Sequence, residues 1–111
     1  MADLTAAGVT QLDAWTEGGI NGKRMTVKKL SLVLAAAGSG AASNKIPAAV
    51  LGMSVIEEVS SLVKSDNTEV LTGAPNAAGN EILLKGVAVN TTASYTGTYT
   101  CIVRGQVPSG Y

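Results

Sequence analysis

The chain has 111 residues, of which 46% are hydrophobic, 4% aromatic and 14% charged, and its eight basic residues balance eight acidic ones. The hydrophobic content excludes a disordered chain, and the zero net charge provides no overall field to attract a nucleic acid or an anionic membrane. The sequence has no His and one Cys, which excludes an internal disulfide and a Cys-based zinc site. We therefore expect one small domain that uses no metal or other cofactor and binds neither nucleic acid nor a membrane.

Catalytic templates do not fit the sequence, so we expect a protein that is not an enzyme. The segment Gly18–Lys23 is one residue too short for a phosphate-binding loop, and Arg24 stands where that motif needs Ser or Thr. Glu57 and Glu58 are adjacent, so a strand would point them to opposite faces, where they could not work as an acid–base pair. Cys101 has no His partner to activate it as a nucleophile.

The first part of the chain is a weakly patterned segment that ends in a Gly-rich cluster. Its apolar residues lie near helical spacing: Leu4, Val9, Leu12 and Trp15. An extended arm that lies across another surface fits the pattern equally well. We therefore divide the chain into an N-terminal arm or short helix, residues 1–22, and a β-domain, residues 23–111. Trp15 would either cover one end of the core or anchor a subunit contact, where Trp is enriched.

Alternating apolar residues after the Gly-rich cluster predict a β-strand, but the alternation changes phase partway. Met25 and Val27 occupy one phase, whereas the leucines of Leu30–Leu34 occupy the other. Because the side chains of a strand alternate between its two faces, a slip of one residue moves the apolar set to the other face. We expect a β-bulge at Lys28 and Lys29 that returns both sets to one face.

The middle of the chain contains one short helical turn and one ambiguous segment. Pro47 suits the beginning of the turn, and Gly52 suits its end. In residues 53–64, Val recurs at every fourth position, which is compatible with a helix, but the β-branched content favours a strand. A short strand is predicted over Glu69–Thr72, followed by a long turn over Gly73–Asn80.

Two further strands are predicted in the last third, over Glu81–Val89 and Thr96–Val107, where Thr, Tyr, Ile and Val are frequent. In the second of these, Tyr99, Cys101 and Val103 share one face, so we expect Cys101 to be a buried and unreactive side chain. Together the elements predict an all-β fold, a single small antiparallel β-sandwich or barrel with a short helical turn and an N-terminal arm.

The stretch from Trp15 to Gly105 resembles small structural proteins encoded among the virion genes of tailed bacteriophages. The segments that carry the resemblance are Trp15–Lys23, the β-strand predicted directly after it, Asn44–Gly52, Gly73–Gly79 and Gly97–Gly105. The resemblance implies a capsid decoration, or cement, protein, which is a small β-rich module that binds the major capsid protein on the virion surface and stabilises the shell. We expect synthesis in the host cytoplasm, because the opening residues lack the basic and apolar regions of a secretory signal.

A homo-oligomer, either a dimer or a trimer, is expected from the composition as well. Small side chains dominate, so each buried position removes little apolar area, and a partner subunit would complete a marginal core. The expected residues of the subunit or capsid contact are Leu12, Trp15, Lys23 and Arg24. The two basic residues would meet acidic groups of the partner. The alternative is a receptor- or glycan-binding module of a fibre or tail, which the few aromatic residues and the missing stalk repeats make less suitable.

Overall fold

The computed structural model describes residues 4–18, 24–35, 44–85 and 96–108, and these residues form a curled, half-barrel β-sheet with short 3₁₀ turns. The all-β prediction is confirmed, and every described strand pairing is antiparallel. The strands are β1 (Val9–Gly18), β2 (Arg24–Leu34), β3 (Lys45–Pro47), β4 (Val55–Val59), β5 (Leu62–Lys64), β6 (Val70–Pro75), β7 (Glu81–Lys85) and β8 (Gly97–Gln106).

The strand order places the last described strand in the middle of the sheet. The order is β1-β2-β8-β5-β6-β7-β3, and β4 pairs with β8 as well. β8 therefore has β2 along one side and both β4 and β5 along the other. β1 and β3 lie at the two ends of the order, so the ladder that holds β1 is its pairing with β2.

One face of the curled sheet encloses the hydrophobic core. Tyr99, Cys101 and Val103 of β8 are buried on this face, as their alternation predicts. The hydroxyl of Tyr99 donates a hydrogen bond to Glu69 Oε1 at 2.6 Å, which satisfies the polar end of a side chain that is otherwise surrounded by apolar residues. The other core residues are Leu4, Leu30, Leu32, Leu34, Ile46, Ala48, Leu51, Met53, Ile56, Leu62, Leu71, Ile82 and Leu84.

A 3₁₀ turn at Ala48–Leu51 contributes to the core and confirms the predicted helical turn. Pro47 precedes it in an extended conformation, and Gly52 ends it with a left-handed φ of 71°, which suits a residue without a Cβ. Lys28 of β2 donates from Nζ to the carbonyl oxygens of Leu51 and Gly52 at 3.4 and 3.2 Å. These bonds satisfy carbonyl groups that a helical turn leaves without partners at its end.

Residues 53–64 contain the strands β4 and β5, so the strand alternative is confirmed and the helical alternative is wrong. Both strands pair with β8, and this tertiary pairing outweighs the fourfold spacing of the valines. Ser60 lies between the two strands and keeps the ladder continuous. Its N–H donates to the carbonyl oxygen of Ile102 at 2.9 Å, and its Oγ accepts from the N–H of Ile102 at 2.8 Å.

The turn that precedes β7 is shorter than the predicted span Gly73–Asn80, because β6 continues to Pro75. The strand predicted up to Val89 begins as expected and is described as β7, whereas residues 86–89 lie outside the described residues. The predicted end of β6 is therefore too early. The Gly and Pro of this segment favour turns in general, but here they pair with β7.

The β-bulge predicted in β2 is wrong, because β2 and β8 pair without any shift in register. The shift lies instead in β1, between Gln11 and Asp13, where Leu12 is the extra residue. Val27 of β2 therefore stays on the outer face, which is the face of the sheet opposite the core. It is nevertheless fully buried, so it is covered from outside rather than returned to the core by a bulge.

The helical alternative for the N-terminal segment is wrong, because Val9–Gly18 is an extended strand that pairs with β2. A 3₁₀ turn, Ala6–Gly8, precedes this strand, and Leu4 is buried in the core. The segment is thus attached to the β-domain both by a strand ladder and by a core side chain. The predicted boundary between residues 22 and 23 lies outside the described residues.

Candidate subunit interface at the edge strand

β1 is exposed along most of its length. All seven residues from Thr10 to Thr16 are exposed, and no described strand pairs with the side of β1 that faces away from β2. Leu12, at the bulge, is 52% exposed, and Trp15 is 38% exposed. Large apolar side chains that lie together on an exposed strand are typical of a surface that contacts another molecule.

Trp15 is held in place on the outer face of the sheet. It lies opposite Val27 of β2, and directly opposed residues of an antiparallel pair share a face. Its indole Nε1 donates to Glu17 Oε2 at 3.3 Å. The structure places Trp15 opposite Val27 on the outer face, and the two roles predicted for Trp15, covering one end of the core and anchoring a subunit contact, stay predictions.

Arg104 of β8 links the edge strand to the far side of the sheet. Its Nε donates to Glu17 Oε1 at 3.1 Å, and its Nη1 donates to Glu58 Oε1 at 3.5 Å. Val27 lies between Trp15 and Arg104 in the strand register, so these two side chains cover it. Hydrogen bonds from Arg104 and then from Trp15 hold the pKa of the Glu17 carboxyl below its ordinary value of 4.5.

The structure brings together two of the four predicted contact residues, Leu12 and Trp15, on one exposed strand. Arg24 begins β2 opposite Gly18, but its side chain lies outside the described residues, and so does the whole of Lys23. The position of the two basic side chains relative to Trp15 therefore stays a prediction.

Sequence reasoning missed Glu17, Glu58 and Arg104, which surround the predicted Trp15. The sequence signal that could have found them is the position of Val27 in the alternation of β2. This position puts an apolar side chain on the outer face, where side chains of neighbouring strands have to cover it. The partners that provide this cover come from strands far apart in the sequence, so the pattern of one strand could not identify them.

The remaining reactive groups do not form a second site within the described ranges. Cys101 is buried, and the loss of hydration raises the pKa of its thiol to about 12, so the sulfur is a neutral thiol. An open cleft of about 500 Å³ is lined by Glu57 and Asn76, but the amide of Asn76 is already hydrogen-bonded to Asn80. The described residues contain no group of three or more His, Cys, Asp or Glu side chains that could hold a metal ion.

No family model matches the chain, and no curated protein or solved structure is significantly similar to it. In the part of the chain that the structure describes, no helix is long and apolar enough to cross a membrane. The function has to be inferred from the sequence and from the exposed surface of β1, where Leu12 and Trp15 lie.

Proposed function

We propose that this protein is a capsid decoration protein of a tailed bacteriophage. It is a non-enzymatic subunit that binds the major capsid protein, forms a homo-oligomer on the virion surface and stabilises the shell. The resemblance of the stretch from Trp15 to Gly105 to phage virion proteins supports this proposal. The structural observation that supports it most is the exposed side chain of Trp15, held by Glu17 above Val27 on the outer face of the sheet.

An aromatic side chain fixed at the surface is well suited to binding a protein. Trp is enriched among the residues that dominate interface energies. A side chain that is already held before binding loses little conformational entropy when a partner covers it. Leu12, exposed on the same strand, extends the apolar contact. No described strand pairs with the side of β1 that faces away from β2, and a partner strand can use such an edge through its backbone.

A receptor- or glycan-binding module of a fibre or tail would use Trp15 differently, as a flat surface on which a sugar ring stacks. Tyr99 is fully buried, so among the described residues Trp15 is the aromatic side chain that a sugar could reach. A glycan array probed with the labelled chain separates the two functions. Binding to particular glycans, together with no affinity for capsids, would favour the receptor-binding module.

Sedimentation with capsids of the parent phage that lack this protein tests the proposal. The wild-type chain should co-sediment with the capsids and raise the temperature at which they open, because it binds the intact shell. Trp15→Ala should stay folded by circular dichroism but lose most of its capsid binding. Val70→Ala is the matched control, since Val70 is 56% exposed on the distant strand β6 and its truncation should leave binding unchanged.

Two results would contradict the proposal. The first is a wild-type chain that does not co-sediment with the capsids at any concentration. The second is equal binding by Trp15→Ala and wild type. Lys23→Ala and Arg24→Ala test the predicted charged part of the contact, and each should weaken binding more at low ionic strength than at high ionic strength.

A further inference from the structure

The two carboxylate oxygens of Glu17 bind two different side chains. Oε2 accepts from the indole Nε1 of Trp15 at 3.3 Å, and Oε1 accepts from Nε of Arg104 at 3.1 Å. An indole has a single polar hydrogen, so the bond to Glu17 uses the whole hydrogen-bonding capacity of the Trp15 side chain. The exposed part of Trp15 is therefore hydrocarbon. Apolar contacts have no preferred direction of their own, so the fit of this side chain to a partner depends on how the indole is already oriented.

The bond to Glu17 cannot orient the indole unless Glu17 itself is held. The side chain of Glu17 is 41% exposed and has three rotatable bonds before its carboxylate oxygens. The bond from Arg104 joins two ionised groups, and such bonds are stronger than bonds between neutral groups. Arg104 therefore fixes the carboxylate, and the carboxylate in turn fixes Trp15.

Arg104 is attached to the middle of the sheet, whereas Trp15 lies on a strand at its end. Arg104 belongs to β8, where it lies opposite Val27 on one side and opposite Glu58 on the other. Its side chain runs beside Val27, which is fully buried, and is itself mostly buried. The bonds through Glu17 thus link an exposed indole on the outermost strand to a side chain whose own strand is paired on both sides.

We infer that Arg104 is a positioning residue for the proposed capsid contact, and that it acts through Glu17 to hold the indole of Trp15 in the orientation that binds. The inference rests on the proposed function, because it explains how Trp15 is prepared for that contact. It differs from a purely structural role, in which the side chain of Arg104 only covers Val27 and the orientation of Trp15 is independent of it.

Time-resolved fluorescence anisotropy tests the positioning without any capsid. Trp15 is the one Trp of the chain, so the decay reports on its side chain alone. In the wild-type chain the anisotropy should decay with the tumbling of the whole protein. Arg104→Met keeps an unbranched apolar stem beside Val27 but has no donor, and its decay should gain a fast component from motion of the indole in the picosecond-to-nanosecond range.

Glu17→Gln tests the link between the two residues. Its amide has one accepting oxygen in place of two, and its NH₂ group would face one of the two donors, so the fast component should appear here as well. Glu58→Gln is the matched control, because it makes the same change in the other carboxylate that Arg104 binds and leaves the bonds of Glu17 in place. Its decay should equal that of wild type. If Arg104→Met unfolds by circular dichroism, the comparison of Glu17→Gln with Glu58→Gln decides the question.

Co-sedimentation with capsids connects the orientation of Trp15 to binding. Arg104→Met and Glu17→Gln should each raise the dissociation constant by about twofold to tenfold, because the partner then has to immobilise the indole itself. Trp15→Phe has no N–H to donate to Glu17, so adding Glu17→Gln to Trp15→Phe should weaken binding no further. A further loss in this double variant would mean that Glu17 contacts the capsid directly, and the inference would be overturned.

Two other results would overturn the inference. The first is the same anisotropy decay in wild type, Glu17→Gln and folded Arg104→Met, which would leave Arg104 as a cover for Val27 alone. The second is wild-type affinity for capsids in variants whose indole has become mobile. A wild-type chain that binds no capsid would overturn the proposed function instead, and the anisotropy would still decide whether Arg104 orients Trp15.

Discussion

Arg104 and Glu17 form an ion pair at 3.1 Å although strand β2 lies between the two strands that carry them. The pair crosses the sheet beside Val27 and, together with Trp15, closes this apolar side chain off from water. The outer face therefore has a small apolar contact of its own, separate from the main core. Together with the backbone hydrogen bonds between β1 and β2, this contact holds β1 on the sheet, although most of β1 is exposed.

Val27→Ala should destabilise the protein by about 2 kcal/mol, because it removes buried methyl groups and leaves a space beneath Trp15 and Arg104. Val33→Ala is the matched control. Val33 lies on the same face of the same strand but is 56% exposed, so its truncation should change stability by less than about 0.5 kcal/mol. Urea unfolding measures both differences, and equal effects at the two positions would contradict the cover over Val27.

Acid should loosen β1 at a pH below the ordinary carboxyl pKa. Hydrogen bonds from Arg104 and Trp15 lower the pKa of Glu17 in the fold. The stabilisation is therefore fully present above the unfolded value of 4.5 and is lost as the pH falls through the lower folded value. Trp15 is the one Trp of the chain, so its fluorescence reports this step.

In that titration, Glu17→Gln should lack the fluorescence transition, because its amide does not titrate. Glu58→Gln should retain the transition, because Glu58 binds Arg104 but does not touch the Trp15 indole. A wild-type midpoint at or above 4.5 would contradict the lowered pKa of Glu17.

Gly105→Ala should destabilise the protein by about 3 kcal/mol, because Gly105 allows β4 to approach β8 closely. A Cβ at this position would overlap the carbonyl oxygen of Val55, a backbone atom that cannot move aside alone. Gly18→Ala adds the same methyl group to β1, where nothing lies within 4 Å, and should change stability by less than about 0.5 kcal/mol. Thermal unfolding compares the two variants, and a neutral Gly105→Ala would refute the close approach.

Cys101 should react with thiol reagents only after denaturation, because the sulfur is buried and its pKa is raised to about 12. Ser65→Cys in a Cys101→Val background provides the control, since residue 65 lies in an exposed turn and a thiol there should react in the native protein. A disulfide reagent that releases a coloured thiol measures both rates. Rapid labelling of the native wild-type chain would show that Cys101 does not face the core.

The raised pKa of Cys101 also predicts how stability changes in alkali. In the unfolded chain the thiol ionises near 9.0, whereas in the fold it stays protonated to about 12, so stability falls as the pH rises through this interval. The slope should reach about 1.4 kcal/mol per pH unit beyond that of Cys101→Val, which has no thiol. Denaturant unfolding above about pH 9 measures the difference, and parallel curves would contradict the shift.

The alternation of apolar residues along a single strand correctly predicted the strands that have one face in the core. Tyr99, Cys101 and Val103 alternate along β8, and burial on one face follows directly from that pattern. Pro47 and Gly52 likewise predicted the helical turn, because their own backbone preferences favour its two ends. These features depend on a few neighbouring residues, so the sequence contains enough information to predict them.

The errors concern residues whose environment comes from distant strands. Val27 was assigned to the core by way of a bulge, because nothing in β2 indicates that Arg104 will lie beside it. Similarly, Val9–Gly18 has no regular apolar alternation, and its extended form depends on hydrogen bonds to β2 and on a register shift at Leu12. For Trp15 the sequence left two roles open, covering the core or anchoring a subunit contact, and it gave no sign that Glu17 is its hydrogen-bond partner.

On the ribosome, this chain cannot complete its sheet until β8 has been synthesised. β2, β4 and β5 all pair with β8, yet β8 is the last of the described strands to emerge. The pair β1–β2 and the three-stranded meander β5–β6–β7 join strands that are neighbours in sequence, so they can form earlier. Before β8 is added, however, both leave an unpaired strand edge and apolar side chains exposed to water. Until Gln106 has emerged, the nascent chain is therefore prone to aggregation and is a suitable substrate for a chaperone that binds extended apolar segments.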